Sequence, residues 1–132
     1  MLRITKLTDY AIVILSDLAI CYPEHQSAKA LARRTGIHLP TVSKILKILQ
    51  QHDLVLSHLG VEGGYQLAVP AEQVSLARII EALEGPIALT QCNLTKGMCE
   101  QEHQCHIRPH WQRINHAILS TLQGISLAET RI

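Results

Sequence analysis

Read as apolar and polar positions, the chain opens on a helical stripe. Leu7, Tyr10, Ala11, Ile14, Leu18 and Ala19 recur at three- and four-residue steps between Lys6 and Tyr22, the spacing that lines one face of a helix. Thr5 is placed to cap the first amides, and Pro23 stops the run. A short helix restarts at Ser27, continues through Ala28, Ala30, Leu31 and Ala32, and ends before Gly36. The second helix of this pair begins near Leu39 or Pro40, where proline is tolerated because its missing donor would have no partner in a first turn. Val42, Ile45, Leu46 and Leu49 make its inner stripe and leave Thr41, Ser43, Lys44 and Lys47 facing outward.

The period then shortens to two. Leu54, Leu56 and His58 alternate with Val55 and Ser57, Gly63 and Gly64 mark a turn, and Tyr65, Leu67 and Val69 alternate up to Pro70, which reads as a β-hairpin. Ser75 caps a further helix through Leu76, Ile79, Ile80 and Leu83, closed by Gly85-Pro86. After a polar stretch, Pro109 opens a last long helix in which Trp111, Ile114, Ile118, Thr121, Leu122 and Ile125 fall close to a heptad seam, the pattern of a helix that pairs with another. Ser126 and Glu129 have the form of a capping box for a final turn.

The expected fold class is mainly α with a small β-hairpin wing: a winged helix-turn-helix domain plus a long C-terminal dimerisation helix. The division expected is 1–86 for the DNA-binding domain, 87–108 for a cysteine-rich loop, and 109–132 for the dimerisation helix and tail. Two helices alone would equally describe an αα-hairpin with a solvated polar face. A hairpin directly after them favours a reader helix with a wing running along the backbone or minor groove of double-stranded DNA. The candidate DNA contacts are Thr41, Ser43, Lys44, Lys47 and Lys29 from the helices, with His58, Gly60, Gly63 and Gly64 from the wing.

Composition refines this picture. The 132 residues contain no phenylalanine, and the only aromatic rings of the Phe, Trp and Tyr type are Trp111, Tyr10, Tyr22 and Tyr65, so the core must be aliphatic. A formal charge of +1 excludes a uniformly basic coat but not a local footprint, and Lys29, Arg33, Arg34, Lys44 and Lys47 outnumber Glu24 and Asp53 around the helix pair. Arg3, Lys6, Asp9 and Asp17 interrupt the N-terminal segment, and no run approaches the ~20 apolar residues of a membrane span. The expected setting is the cytoplasm, with no membrane partner. No enzyme and no small-molecule substrate are expected either: the neighbouring side chains of Cys105 and His106 diverge, and neither a glycine-rich phosphate loop nor paired carboxylates accompany them.

The chemistry is concentrated between Gln91 and Arg108, where three of the four cysteines lie. Six residues separate Cys92 from Cys99 and five separate Cys99 from Cys105. Thiolates are soft ligands that select zinc, copper(I) or iron–sulfur clusters. Structural zinc usually recruits tight Cys-x-x-Cys knuckles, and none is present. Wider gaps suit a larger object embraced from several sides. Free thiols, or a disulfide disfavoured by a reducing cytosol, are the plainer alternatives. Cys21, at the end of the first apolar stripe, reads as an ordinary small buried thiol.

Taken together the residues resemble the cluster-sensing winged-helix transcription regulators of the IscR and NsrR type, the Rrf-two family. The resemblance is carried by Leu7-Thr8-Asp9-Tyr10-Ala11, by Thr41-Val42-Ser43-Lys44, by Gly60 with Gly63-Gly64-Tyr65, and by the three spaced cysteines. The strings from Ile79 to Thr90, Cys99-Glu100-Gln101-Glu102 and Trp111-Gln112-Arg113-Ile114-Asn115 look like the branch that regulates the SUF iron–sulfur assembly operon. The resemblance implies a homodimeric regulator, in the family expectation a repressor of those assembly genes, with its cluster on Cys92, Cys99 and Cys105.

Two departures stand out. IscR completes its site with a histidine three residues after the last cysteine, where this chain has Arg108. NsrR uses an aspartate from the first helix of the partner subunit, and the matching position here is Asp9, the leading candidate, with His103, His106 and His110 as alternatives. A carboxylate-completed site fits a 4Fe–4S cluster and a histidine-completed one 2Fe–2S. In the wing, relatives carry arginine just before Gly60 and this chain carries Leu59, so His58 is the candidate substitute. The competing readings are a zinc-stabilised winged-helix regulator, a nitric-oxide- or redox-responsive repressor, and a cluster carrier.

Overall fold

In a computed structural model describing residues 3–130, the side-chain oxygen of Thr5 accepts the amide of Thr8 and starts helix α1 (Lys6–Cys21). This satisfies one of the donors that a helix N-terminus leaves open. Thr8, Ala11, Ile14, Leu15, Leu18 and Ala19 are buried along one face. Ser27 caps helix α2 (Ala28–Thr35) in the same way, and Gly36, at φ 76°, closes it in the left-handed conformation that glycine tolerates best. Helix α3 (Leu39–Gln51) follows after a tight turn and buries Val42, Ile45, Leu46 and Leu49 completely.

Strands β1 (Val55–His58) and β2 (Gly64–Leu67) form the antiparallel hairpin, with Val55 opposite Leu67 and His58 opposite Gly64. The hairpin does not stand alone. Gln26, in the turn before α2, exchanges both backbone bonds with Tyr65 at 2.7 and 2.8 Å, so the segment between the first two helices acts as a one-residue third strand. A side chain at Gly64 would have its Cβ 2.5 Å from the Gln26 carbonyl oxygen. Glycine there is a requirement of close backbone approach.

A 3₁₀ turn (Ala71–Gln73) leads to helix α4 (Leu76–Glu84), capped by Ser75. Where the sequence predicts loop from Gln91, one helical turn forms, α5 (Gln91–Leu94). Helix α6 (Arg108–Gln123) begins one residue before Pro109, since a proline in the first turn forfeits no bond. The tail ends in a 3₁₀ turn (Leu127–Thr130), with the Ser126 amide donating to Glu129 at 2.7 Å as the capping-box pattern predicts. Leu127 returns to full burial, and its amide donates to the Val74 carbonyl at 2.7 Å. The termini of the 1–86 and 109–132 divisions, residues 1–2 and 131–132, lie outside the described residues.

The core is aliphatic as expected: Ile14, Leu15, Leu18, Leu31, Ile45, Leu46, Leu49, Leu54, Leu67, Ile79 and Leu127 are fully enclosed. Among the described residues, no helix is long and apolar enough to cross a membrane. Gly64→Ala is expected to destabilise the chain by about 1–3 kcal/mol through overpacking at Gln26. Urea unfolding checks this, and an unchanged midpoint would contradict the three-stranded wing.

Candidate DNA-reading surface and cysteine loop

Helices α2 and α3 pack as a pair against α1. Ser43, Lys44 and Lys47 are exposed on the outer face of α3, Thr41 is half-buried at its start, and Lys29 is exposed on α2. Among the described residues these lysines enter no ion pair. Arg34 is different from the footprint the sequence assigns it. Its guanidinium reaches back to α1, 3.0 Å from Asp17 Oδ1, and donates to Cys21 Sγ at 3.2 Å and to Gln26 Oε1 at 3.3 Å. The Cys21 contact and the Asp17 charge hold it above its ordinary guanidinium pKa. Arg34 therefore fastens the reader pair to the core, and Cys21 is half-buried against it instead of being enclosed in apolar surroundings.

The wing is similarly fastened. Gln50, at the end of α3, donates to Ser57 of β1 at 2.9 Å. His58 lies 2.8 Å from Gln66 Oε1 across the hairpin, its ring 4.9 Å from that of His25, which bonds in turn to the Glu62 carbonyl. Gly60, at φ 110°, carries the tip, and its carbonyl accepts the Gly63 amide at 3.0 Å. A Cβ on Gly63 would strike the His58 carbonyl at 2.1 Å. Gly63 and Gly64 thus have steric reasons to be glycine.

The cysteine loop runs from α5 to α6. Cys92, on α5, lies 3.0 Å from Thr90 Oγ1, and Cys92, Cys99 and Cys105 are all free and half-buried. Sequence reasoning missed the residue that organises this loop. Glu102 is only 5% exposed; one carboxylate oxygen is 2.7 Å from Arg108 Nη2 and the other accepts the Gly97 amide. A buried carboxylate requires such partners. The only advance signal was the acid lying between two cysteines with an arginine six residues on. Asn115 of α6 holds the base of the loop, accepting from the Leu89 amide at 2.8 Å.

His103, His106 and His110 are exposed, and Asp9 is exposed in the first turn of α1. Beside Asp9, the buried Thr8 hydroxyl donates to Glu84 at 2.6 Å and clamps the start of α1 onto the end of α4. Among the described residues, no three His, Cys, Asp or Glu side chains are gathered closely enough to hold a metal ion. The donor set nevertheless fits a cluster in kind, with three free thiols of soft sulfur chemistry on one loop and position 108 taken up by the Glu102 pair.

Residues 4–130 match the Rrf2 family, described as iron-dependent transcriptional regulators. This chain is a member of the Rrf2 family. Among Rrf2 relatives it is 30% identical to protein rrf2 of Nitratidesulfovibrio vulgaris over 129 residues, covering 97% of this chain and 86% of the relative. It is 27% identical to the HTH-type transcriptional regulator IscR of Aliivibrio salmonicida, covering 99% and 78%. In three dimensions it resembles CymR, the global cysteine regulator of B. subtilis, with a TM-score of 0.75 at 27% identity over 97% of this chain and 95% of that one. T. potens IscR gives 0.71 at 26%, over 96% and 84%. The chain is a winged-helix transcription regulator and, like its Rrf2 relatives, not an enzyme.

Glu102→Gln removes the charge that Arg108 neutralises. It is expected to cost about 1–3 kcal/mol and to raise the labelling rate of Cys99 and Cys105 by a thiol reagent several-fold. Unchanged labelling and thermal unfolding would contradict the loop-organising part assigned to Glu102.

Proposed function

We propose that this Rrf2 chain is a cytoplasmic, homodimeric repressor of iron–sulfur assembly genes whose operator affinity follows an iron–sulfur cluster, 2Fe–2S or 4Fe–4S, held by Cys92, Cys99 and Cys105. The observation that carries the reading is the trio of free, half-buried thiols on a single loop seated against α6. Asp9 of the partner subunit is the proposed fourth ligand, by resemblance to NsrR at the matching position, since Arg108 stands where IscR has its histidine and is paired with Glu102. When bound, the group supplies one-electron redox chemistry and sensitivity to oxidants and iron shortage.

Helix α6 buries none of its residues within the single chain and leaves Trp111 38% and Ile114 44% exposed. That face, on the heptad-like seam, is what a second copy would cover. Within the chain, α6 packs on α4, α4 is clamped to α1 through Thr8 and Glu84, and α1 holds the reader pair. Closing the loop around its ligand therefore acts on elements that are continuous with α3. The coupling required is small, about 1–3 kcal/mol for a 5- to 150-fold change in affinity.

Anaerobically purified protein is expected to contain iron and acid-labile sulfide in nearly equal amounts, with visible absorption that disappears when Cys92, Cys99 and Cys105 are all replaced by serine. Colourless protein with one zinc per chain and no sulfide would overturn the reading in favour of a zinc-stabilised regulator. Clustered protein that shifts no promoter fragment would instead identify a carrier.

A further inference from the structure

The wing has an unusual chemistry for a hairpin beside a reader helix. No lysine or arginine occurs between Lys47 and Arg78, and the only charged residue from Leu54 to Leu67 is Glu62. Such a wing gains nothing from neutralising phosphates. At its tip, on either side of Gly60, Leu59 is 97% and Val61 106% exposed. Two aliphatic side chains held wholly in water are costly to expose, and both sit in the turn that joins the two strands.

The hairpin's anchors fix where the tip goes. Gln50 to Ser57, the Gln26–Tyr65 backbone pair and the His25–Glu62 bond tie the wing to α3 and to the turn before α2. With α3 in the major groove, a rigid wing beside it faces the adjacent minor groove. The walls of that groove are sugar rings, and aliphatic wedges enter it by prising apart base steps, at least cost at flexible pyrimidine–purine steps.

We propose that Leu59 and Val61 form an apolar wedge that packs into the minor groove, so that this wing selects deformable DNA instead of contributing charge. The inference rests on the DNA-binding reading of α3. It makes Leu59 and Val61 specificity-determining residues at positions whose contribution is independent of salt.

The test uses the full-length protein and a duplex selected by it from random sequence, with 2-aminopurine placed in turn at each step flanking the half-site. Leu59→Ala with Val61→Ala, both at exposed positions, is expected to weaken binding about tenfold, the scale of one good groove contact. The slope of log affinity against log salt should not change, and the fluorescence rise that marks unstacking should disappear. Lys44→Ala, in contrast, should lower that slope by about one unit. If the double variant binds within twofold of the parent and no step unstacks, while Lys44→Ala still weakens binding, the wedge is overturned and the reader stands. If the selection yields no bound duplex at all, both are overturned.

Discussion

The buried stripe of α1 is where the reader pair, strand β2, helix α4 and the terminal 3₁₀ turn meet. With no phenylalanine to fill space, this junction is packed by branched aliphatic side chains, which interlock only when every element keeps its distance from α1. Thr8 is the one polar residue in the stripe and is fully enclosed. Its hydroxyl is satisfied by Glu84, so the polar exception in the core is also the fastening between α1 and α4. A buried hydroxyl left without that carboxylate would carry its full desolvation cost.

Two further polar fastenings extend from this junction. Arg34 pins α2 to α1 through Asp17 and Cys21, and Gln26 continues the wing sheet into the α1–α2 turn. Reader and wing are therefore positioned by the same helix. On the far side, Glu102 with Arg108 shapes the cysteine loop, and Asn115 fixes its base to α6. The loop and the reader never touch in sequence, yet both are referred to α1 through α4.

Much of this was legible before folding. Caps at Thr5 and Ser75, the restart at Ser27, the stop before Gly36, and the change from a period of about four to two located the helices and the hairpin, because those signals are local. What escaped are features whose partners lie far along the chain. Arg34 reads as part of a basic footprint until Asp17, 17 residues earlier, is brought beside it. Glu102 carries no signal of its own until Arg108 folds back on it, and Leu127 reads as tail until it enters the core beside α1 and Val74. At the wing, the glycines read as groove contacts, whereas the closeness of Gln26 and His58 backbones is visible only in three dimensions. The candidate ligands divide in the same way: the three cysteines share one loop, while Asp9 stands apart on α1, where sequence alone could place it only by resemblance.

The proposed regulation requires that the state of the cysteine loop be felt at α3. Operator affinity measured for cluster-loaded and cluster-free protein, on one duplex at one salt concentration, tests it most directly. A difference of about fivefold or more is predicted; equal affinities would contradict the claim, whatever the protein binds.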